Sequence, residues 1–433
     1  MREALLIVIL IVLGVVGLAN ARIALLGYIW FAIMRPDVLA WAPDRSYSLM
    51  LGLVASLSCL REIYHLLPAL QIRWMVLLMS YWFLIILSVM FSTHIELSLF
   101  TLRIFFPTML TATLIPVVLR RFEDIRLLFL VMAFSLGFLG LKFGLWGVLA
   151  GGTSYTQGYG GSLSDNNLFA LGMVVGLPLC WYARDVVQGF KWKMMFLSFC
   201  IFMPAAIVMS HSRGGILALG VALLFVIWYS KRRVLSFVLL SLFVMGSVLL
   251  VKDSIVERMA TLKSVEDDAS AQGRLTHWSG ALRMSLDYPV FGVGFGGLPY
   301  ARNISRYLSY DSSQFAHNNY LQMVADSGYP ATLVYCAMLF GQILWFRSVG
   351  MKFRGRDPAM YAMAMGMCAS LIGFAVGSVF LSRTFYETPY YIFAFGAAMS
   401  PVAAQRLREL DAPQAPPVAP QPVQALQIGR AHD

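Results

Sequence analysis

Residues 127–149 read LLFLVMAFSLGFLGLKFGLWGVL, an apolar run whose only charged residue is Lys142. A helix needs about 20 such residues to cross a hydrocarbon core about 30 Å thick. Because a backbone in lipid must satisfy its own hydrogen bonds, a run of this length predicts a transmembrane helix.

Similar runs recur from the N-terminus to about residue 404. The chain is 59% hydrophobic and only 13% charged, against roughly 25% charge in soluble domains, which excludes a soluble globular enzyme. No segment alternates like the strands of a membrane barrel. We therefore predict an all-α polytopic integral membrane protein of about twelve transmembrane helices. The first helix is expected to be retained rather than cleaved, both termini to lie inside, and one early segment to be re-entrant or fused.

Four regions follow from the composition. We predict N-terminal transmembrane helices at 1–251, a large polar loop with short helices at 252–318, and C-terminal transmembrane helices at 319–404. The remainder, 405–433, is rich in Pro, Ala and Gln and is predicted to be a disordered cytoplasmic tail.

Basic residues set the orientation. They cluster in short loops that share one side of the membrane if each later run crosses once, and this side is expected to be the cytoplasm. Segments 150–166, 210–214, 252–318 and 382–387 then lie on the outer side, where we expect them to converge on one site. The formal charge of +11 fits contact with anionic lipid, whereas nucleic acid binding would need a basic soluble domain that is absent from the sequence.

Several cations lie beside or inside apolar runs. Arg213, in the segment Ser210–Gly215 with His211, lies within a residue or two of hydrocarbon, where an arginine usually faces a polar cavity or an anion. The alternative is an arginine that snorkels to the interface. Arg103 and Lys142 have no nearby carboxylate in sequence, which indicates an anionic headgroup as ligand, and Arg383 adds another outer arginine.

The polar loop offers three further patterns. Arg274 and His277 lie together off an apolar helical stripe formed by Leu275, Trp278, Leu282 and Leu286, facing either a site or water. Residues 292–297 satisfy G-x-G-x-x-G, but without a surrounding βαβ unit they are interpreted as a turn. The acidic run 266–268 is interpreted as hydrated carboxylates, and no metal site is predicted.

His317 follows the loop, with Asn318, Asn319 and Tyr320 after it. We expect it to begin the next span, where unpaired N–H groups and a mildly positive helix end oppose protonation of the imidazole. Such a histidine is suited to act as a base near neutral pH. Asp165 is expected to cap the helix formed by the apolar run 167–184.

These elements together resemble the O-antigen ligase and polymerase superfamily of bacterial envelope glycosyltransferases. The resemblance rests on Ser212-Arg213-Gly214, on Gly273-Arg274 through Trp278 with Gly292-Val293-Gly294 after it, and on His317-Asn318 followed by Gly328. Ala331 departs from the ligase pattern, which has Gly, Thr or Tyr at this position.

The resemblance implies an enzyme of the Gram-negative inner membrane whose large loop and active site are periplasmic. It would move O-antigen polysaccharide from undecaprenyl pyrophosphate to a lipid A-core sugar hydroxyl, inverting the anomeric centre without a metal or cofactor. We assign His317 as general base and Arg213 and Arg274 as pyrophosphate ligands. Arg103, Lys142, His211, Asn318, Tyr320 and Arg383 are assigned to substrate binding.

Two kinds of alternative stay open. An O-antigen polymerase or a protein O-oligosaccharide ligase would use the same donor with a different acceptor. A lipid-linked glycan transporter is a different class, but its usual paired repeats are not visible in the sequence.

Overall fold

A computed structural model of the protein describes residues 2–41, 47–150, 163–229 and 265–412, together with Tyr159 and a few positions between 234 and 241. Within these ranges the chain forms helices and no strands, so the predicted all-α class is confirmed there. The first eight helices are α1 Arg2–Ala19, α2 Ala21–Met34, α3 Pro36–Leu39, α4 Tyr47–Cys59, α5 Leu66–Ala69, α6 Arg73–Met90, α7 Ile95–Val118 and α8 Phe122–Leu149. The others are α9 Asn166–Val186, α10 Phe190–Met209, α11 Arg213–Tyr229, α12 Val265–Asp287, α13 Leu298–Asn303, α14 Asn319–Phe353, α15 Pro358–Gly377 and α16 Glu387–Asp411.

Nine helical segments in the described ranges are long and apolar enough to cross a membrane, one of them being Tyr47–Ala69, which contains both α4 and α5; α2 and α11 are shorter apolar helices. The number of about twelve predicted from composition stays a prediction, because most of the apolar run 234–251 lies outside the described residues. Helix α9 is buried along almost all of its length and packs against α8, α10, α11 and α15. It forms the centre of the bundle.

Contacts of α2 fix the direction of the first helix. Arg22, at the start of α2, pairs with Asp124 at the start of α8 at 3.4 Å. After the other end of α2, the carbonyl of Arg35 accepts a hydrogen bond from Tyr159, which follows α8. Helices α2 and α8 therefore run parallel, and α1, joined to α2 through Asn20 alone, runs back the other way. The N-terminus lies at the same end of the bundle as Tyr159, which differs from the expectation that both termini share the basic side.

Helix α14 reverses direction at Gly328, where φ is 78° and ψ is 174°. The ring of Tyr320 stacks on that of Phe340 with centroids 6.3 Å apart, whereas positions 20 residues apart in a straight helix are separated by about 30 Å. Residues 319–327 therefore form a short helix that folds back against the longer part of α14. The prediction that His317 begins a span is wrong, because the spanning part of the helix starts only after Gly328.

The polar loop holds α12, which is longer than the short helices predicted, and α13; residues 252–264 and the side chains of the acidic run 266–268 lie outside the described part. The glycine-rich segment 292–297 is a turn, as predicted, and packs against α7 and α14. Gly292 lies so close to the backbone of Asp326 that an added Cβ would stand 2.3 Å from its carbonyl carbon. Val293 and Gly294 donate backbone hydrogen bonds to Ala325 and Asp326.

The last helix continues to Asp411 rather than ending near residue 404. Its final turns are polar, and Arg406 pairs with Asp357 at 3.4 Å and with Glu409 at 3.3 Å. These exposed pairs sit at the start of α15 and the end of α16, so residues 405–411 belong to the bundle rather than to a disordered tail. Residues 413–433 lie outside the described ranges.

Candidate active site

Segments from all four predicted outer loops meet at one end of the bundle. The side-chain amide of Asn166 donates to the carbonyl of Ser210 at 2.9 Å, and the backbone amide of Asn318 donates to Ser382 Oγ at 3.0 Å. The indole N–H of Trp278 donates to the carbonyl of Ala316 at 2.8 Å. Asp165, His317 and Ser382 also line one cavity, which joins the two pairs of segments and confirms the predicted convergence.

A cavity of about 380 Å³ opens where they meet. Its polar lining includes Asp165, His317, Gln322, Asp326, Ser382 and Arg383. Phe100 and Ile104 of α7 and the turn Gly296–Gly297 contribute apolar and backbone surface. Of the sequence-predicted site residues, His317 and Arg383 line this cavity.

His317 is held in an unusual backbone conformation, with φ at 49°. Asn318 caps the short helix by accepting from the amides of Tyr320 and Leu321, and the preceding amide of Ala316 donates to Gln322 Oε1 at 2.9 Å. Left-handed φ in a non-glycine residue is costly and persists only where its surroundings enforce it, which is common at functional sites. The capped helix and the Gln322 contact provide that enforcement here.

The electrostatic surroundings keep the imidazole of His317 neutral. Burial lowers the pKa of His317, the positive charges of Arg274 and His277 lower that pKa further, and only Asp165 raises it. An imidazole with a depressed pKa is unprotonated at neutral pH and can accept a proton.

Arg383 is a cation without a charged partner in the described structure. Its guanidinium lies 5.0 Å from the ring centroid of Phe385, and its Nε has no hydrogen-bond partner. Burial lowers the pKa of Arg383, while Glu387 and Asp165 raise it from a distance. Since arginine stays protonated in proteins, the cavity wall carries a positive charge with unused donors, an arrangement suited to an anion.

Asp326 and Gln322 were missed by the sequence analysis. Gln322 Nε2 donates to Asp326 Oδ1 at 2.9 Å, and Asp326 is fully buried. An ionisable residue within a predicted span was the available signal, since such residues usually mark function. Asp165 was expected only as a helix cap; it does accept from the amides of Asn167 and Leu168, but it also lines the cavity.

Arg213 and His211 lie beside the cavity rather than in its wall. Arg213 is exposed and begins α11, which Ser212 Oγ caps by accepting from the amide of Gly215 at 3.1 Å. An added Cβ on Gly214 would stand 2.7 Å from Phe380, three residues before Arg383. His211 shares the left-handed conformation of His317, with φ at 54°.

Helix α12 places Arg274 near His317 without putting it in the wall. Arg274 is exposed, and its influence is visible in the lowered pKa of His317. The apolar stripe of α12 does not face the protein interior, since Leu275, Leu282 and Leu286 are exposed. His277, on the opposite face, is buried. His277 Nε2 lies 3.3 Å from Ser312 Oγ.

Three other predicted substrate ligands lie outside the cavity wall. Arg103 is exposed on α7. Lys142 Nζ lies 5.2 Å from the ring centroid of Phe143 and 5.9 Å from that of Tyr159. Tyr320 uses its hydroxyl to donate to the carbonyl of Ala375 at 2.9 Å. The structure thus gives Tyr320 a packing role, and Asn318 a capping role at the edge of the site.

Comparison with known families gives two matches. Residues 198–336 match the family model described as O-antigen ligase, a range that includes Arg213, Arg274, His317 and Gly328. Residues 1–183 match a family of unknown function, DUF5935. No curated protein matches the chain. The O-antigen ligase match, on a helical membrane bundle in which the matched segments meet at one cavity, supports a member of the O-antigen ligase and polymerase superfamily.

Proposed function

We propose that the protein transfers a glycan from undecaprenyl pyrophosphate to a sugar hydroxyl of lipid A-core at the periplasmic face of a Gram-negative inner membrane. The observation that carries the proposal is that one cavity is lined both by His317, whose pKa is lowered by burial, and by Arg383, whose Nε has no hydrogen-bond partner in the described structure. Family membership supports glycosyl transfer from a lipid-linked donor as the reaction type.

In the proposed reaction, the acceptor hydroxyl oxygen attacks the anomeric carbon of the donor glycan. A carbon–oxygen bond forms as the bond from that carbon to the pyrophosphate breaks, and the electron pair leaves with undecaprenyl pyrophosphate. His317 accepts the hydroxyl proton. A single displacement inverts the anomeric centre, and the donor's good leaving group supplies the driving force without a metal.

The cations of the site are suited to the leaving group. Negative charge develops on the pyrophosphate in the transition state, and pre-placed cations stabilise such charge effectively in a site that excludes water. Arg383 lines the cavity, and we assign it the closest contact. Arg274 and Arg213, both exposed at the rim, would hold the outer part of the pyrophosphate.

The reversed helix adds to this arrangement. Residues 319–327 point their N-terminal end towards the cavity, and helix ends of this kind carry partial positive charge that favours anionic groups. Because the short helix folds back along α14, its start lies deeper in the bundle than Gly328. This depth fits a substrate whose pyrophosphate sits at the membrane boundary.

The test is transfer by the purified protein in lipid vesicles, with the lipid-linked donor, lipid A-core and EDTA present. We expect wild-type transfer, and a loss of about 100-fold or more in His317→Gln, because general-base catalysis contributes about that factor. His65→Gln is the matched control, since His65 lies beside Glu62 and far from the cavity. Full activity of His317→Gln would show that His317 is not the general base, whereas absence of transfer by the wild-type protein would favour a lipid-linked glycan transporter.

Acceptor identity is tested in the same vesicles. The polymerase and the protein ligase share the donor, so lipid A-core, a second lipid-linked glycan and a pilin-like protein are offered separately. Transfer to lipid A-core alone supports the ligase, whereas transfer to either of the others would replace it with the corresponding alternative.

A further inference from the structure

The carboxyl group of Asp326, a residue that lines the cavity, has an oxygen without a hydrogen-bond partner in the described structure. Asp326 is fully buried, lines the cavity, and has one oxygen, Oδ1, engaged by Gln322 Nε2 at 2.9 Å. Its Oδ2 has no hydrogen-bond partner in the described structure. A buried carboxyl oxygen left unpaired is costly, so its retention beside a cavity points to a ligand that completes it.

The backbone that carries this carboxyl is held firmly. The carbonyl of Asp326 accepts from Ser88 Oγ at 3.0 Å and from the amide of Gly294 at 2.9 Å. Gly292 packs directly against the same peptide group. The position of the carboxyl is therefore set before any substrate arrives, as a precise binding contact requires.

The ligand chemistry follows from the neighbouring charges. No cation forms an ion pair with Asp326 among the described residues, and the carboxylates that act on Arg383 are Glu387 and Asp165. The carboxyl group offers no positive charge to the pyrophosphate that we assign to Arg383. Hydroxyl groups, in contrast, donate hydrogen bonds to carboxyl oxygens without bringing charge.

The hydroxyl that would contact Asp326 is not the hydroxyl that attacks the donor. Ala316, Gln322 and Asp326 form a hydrogen-bonded series, in which Gln322 stands between the backbone beside His317 and the carboxyl. Asp326 thus faces a part of the cavity one side chain away from the base. Resting on the proposed function, we propose that Asp326 forms a sugar subsite that accepts a hydrogen bond from a second, non-reacting hydroxyl of the acceptor glycan.

Asp326→Asn tests the unused oxygen selectively. The amide oxygen of Asn keeps the bond from Gln322, while its NH₂ group replaces an acceptor with a donor. We expect the KM for the acceptor to rise about tenfold or more, because a buried hydroxyl of the acceptor is left without its hydrogen-bond partner, with kcat and the donor KM little changed. Gln322→Leu is the control for the hydrogen-bonded series, and it should lower kcat through the position of His317.

A second measurement does not depend on the folding of a variant. Single-deoxy analogues of the acceptor glycan are offered to the wild-type protein, and one of them should raise KM by a similar factor. With that analogue, Asp326→Asn should cause no further rise, because the two changes remove the same contact.

The outcomes separate the two proposals. Absence of wild-type transfer to any acceptor overturns the proposed function. Wild-type transfer combined with an unchanged acceptor KM in Asp326→Asn overturns the subsite alone. A drop in kcat with no change in acceptor KM, or additive effects of the variant and every deoxy analogue, would also overturn the subsite and assign Asp326 a positioning role.

Discussion

Replacement of Gly328 by alanine should disrupt the reversal of α14. The φ of 78° and ψ of 174° at this position are accessible essentially to glycine alone, and forcing another residue into such a region costs about 1–3 kcal/mol. An added Cβ would also stand 2.2 Å from the carbonyl oxygen and 2.4 Å from the carbonyl carbon of Val290. Both are backbone atoms that cannot rotate away, so overpacking adds a comparable cost of about 1–3 kcal/mol.

The combined loss is about 4 kcal/mol, a large share of the stability of a typical folded protein. Gly355→Ala is the matched control, since its φ of +79° is also positive but nothing lies within 4 Å of the added Cβ. That control should lose only about 1–2 kcal/mol. Gly220→Ala, in the helix α11 and with open space around the added Cβ, should be slightly stabilising.

The assay is thermal unfolding of the three variants in one detergent, followed by tryptophan fluorescence, together with glycan transfer in vesicles. We expect the midpoint of Gly328→Ala to fall well below that of Gly355→Ala, and its transfer activity to be lost because His317 is displaced. Equal midpoints for these two variants, or retained activity of Gly328→Ala, would refute the reasoning that the reversal depends on this glycine.

Two further predictions concern the charges of the site. The pKa of His317 is lowered by burial and by Arg274 and raised by Asp165, so kcat/KM should fall only below the ordinary histidine pKa of about 6.5. Arg274→Gln should move this acid limb to higher pH and Asp165→Asn to lower pH, with Asn preserving the helix cap; shifts in the same direction, or none, would contradict the assignment. Arg383→Gln should lower kcat/KM about 100-fold, as removal of one charge-stabilising donor does, and Arg383→Lys should lower it less. Arg283→Gln, exposed on α12, is the control for the Arg383 variants, and an equal loss in that control would show that charge anywhere on this face suffices.

The fold class and part of the candidate site were readable from local sequence. Apolar runs predicted most helix positions to within a few residues, because a helix in lipid satisfies its hydrogen bonds within its own segment. His317 and Arg383 were found because polar residues at the edge of such runs are costly without a purpose. Asp165 was predicted as a cap from its position before a helix, whereas Asn318 was assigned to substrate binding and its side chain caps the short helix.

The remaining features depend on contacts between distant segments, and only the tertiary structure decided them. The run after His317 has the composition of one span, yet the chain reverses at Gly328. The loop carbonyls of Pro289 and Val290 approach this residue so closely that there is no room for a side chain. The direction of the first helix rests on the pairing of Arg22 with Asp124. In the sequence, Asp326 lies within an apolar run predicted to span the membrane. In the structure, the reversal and the turn at 292–297 place Asp326 in the cavity wall together with His317 and Arg383. Local pattern determines which segments are helical and apolar; which side chains share a cavity is set by packing over hundreds of residues.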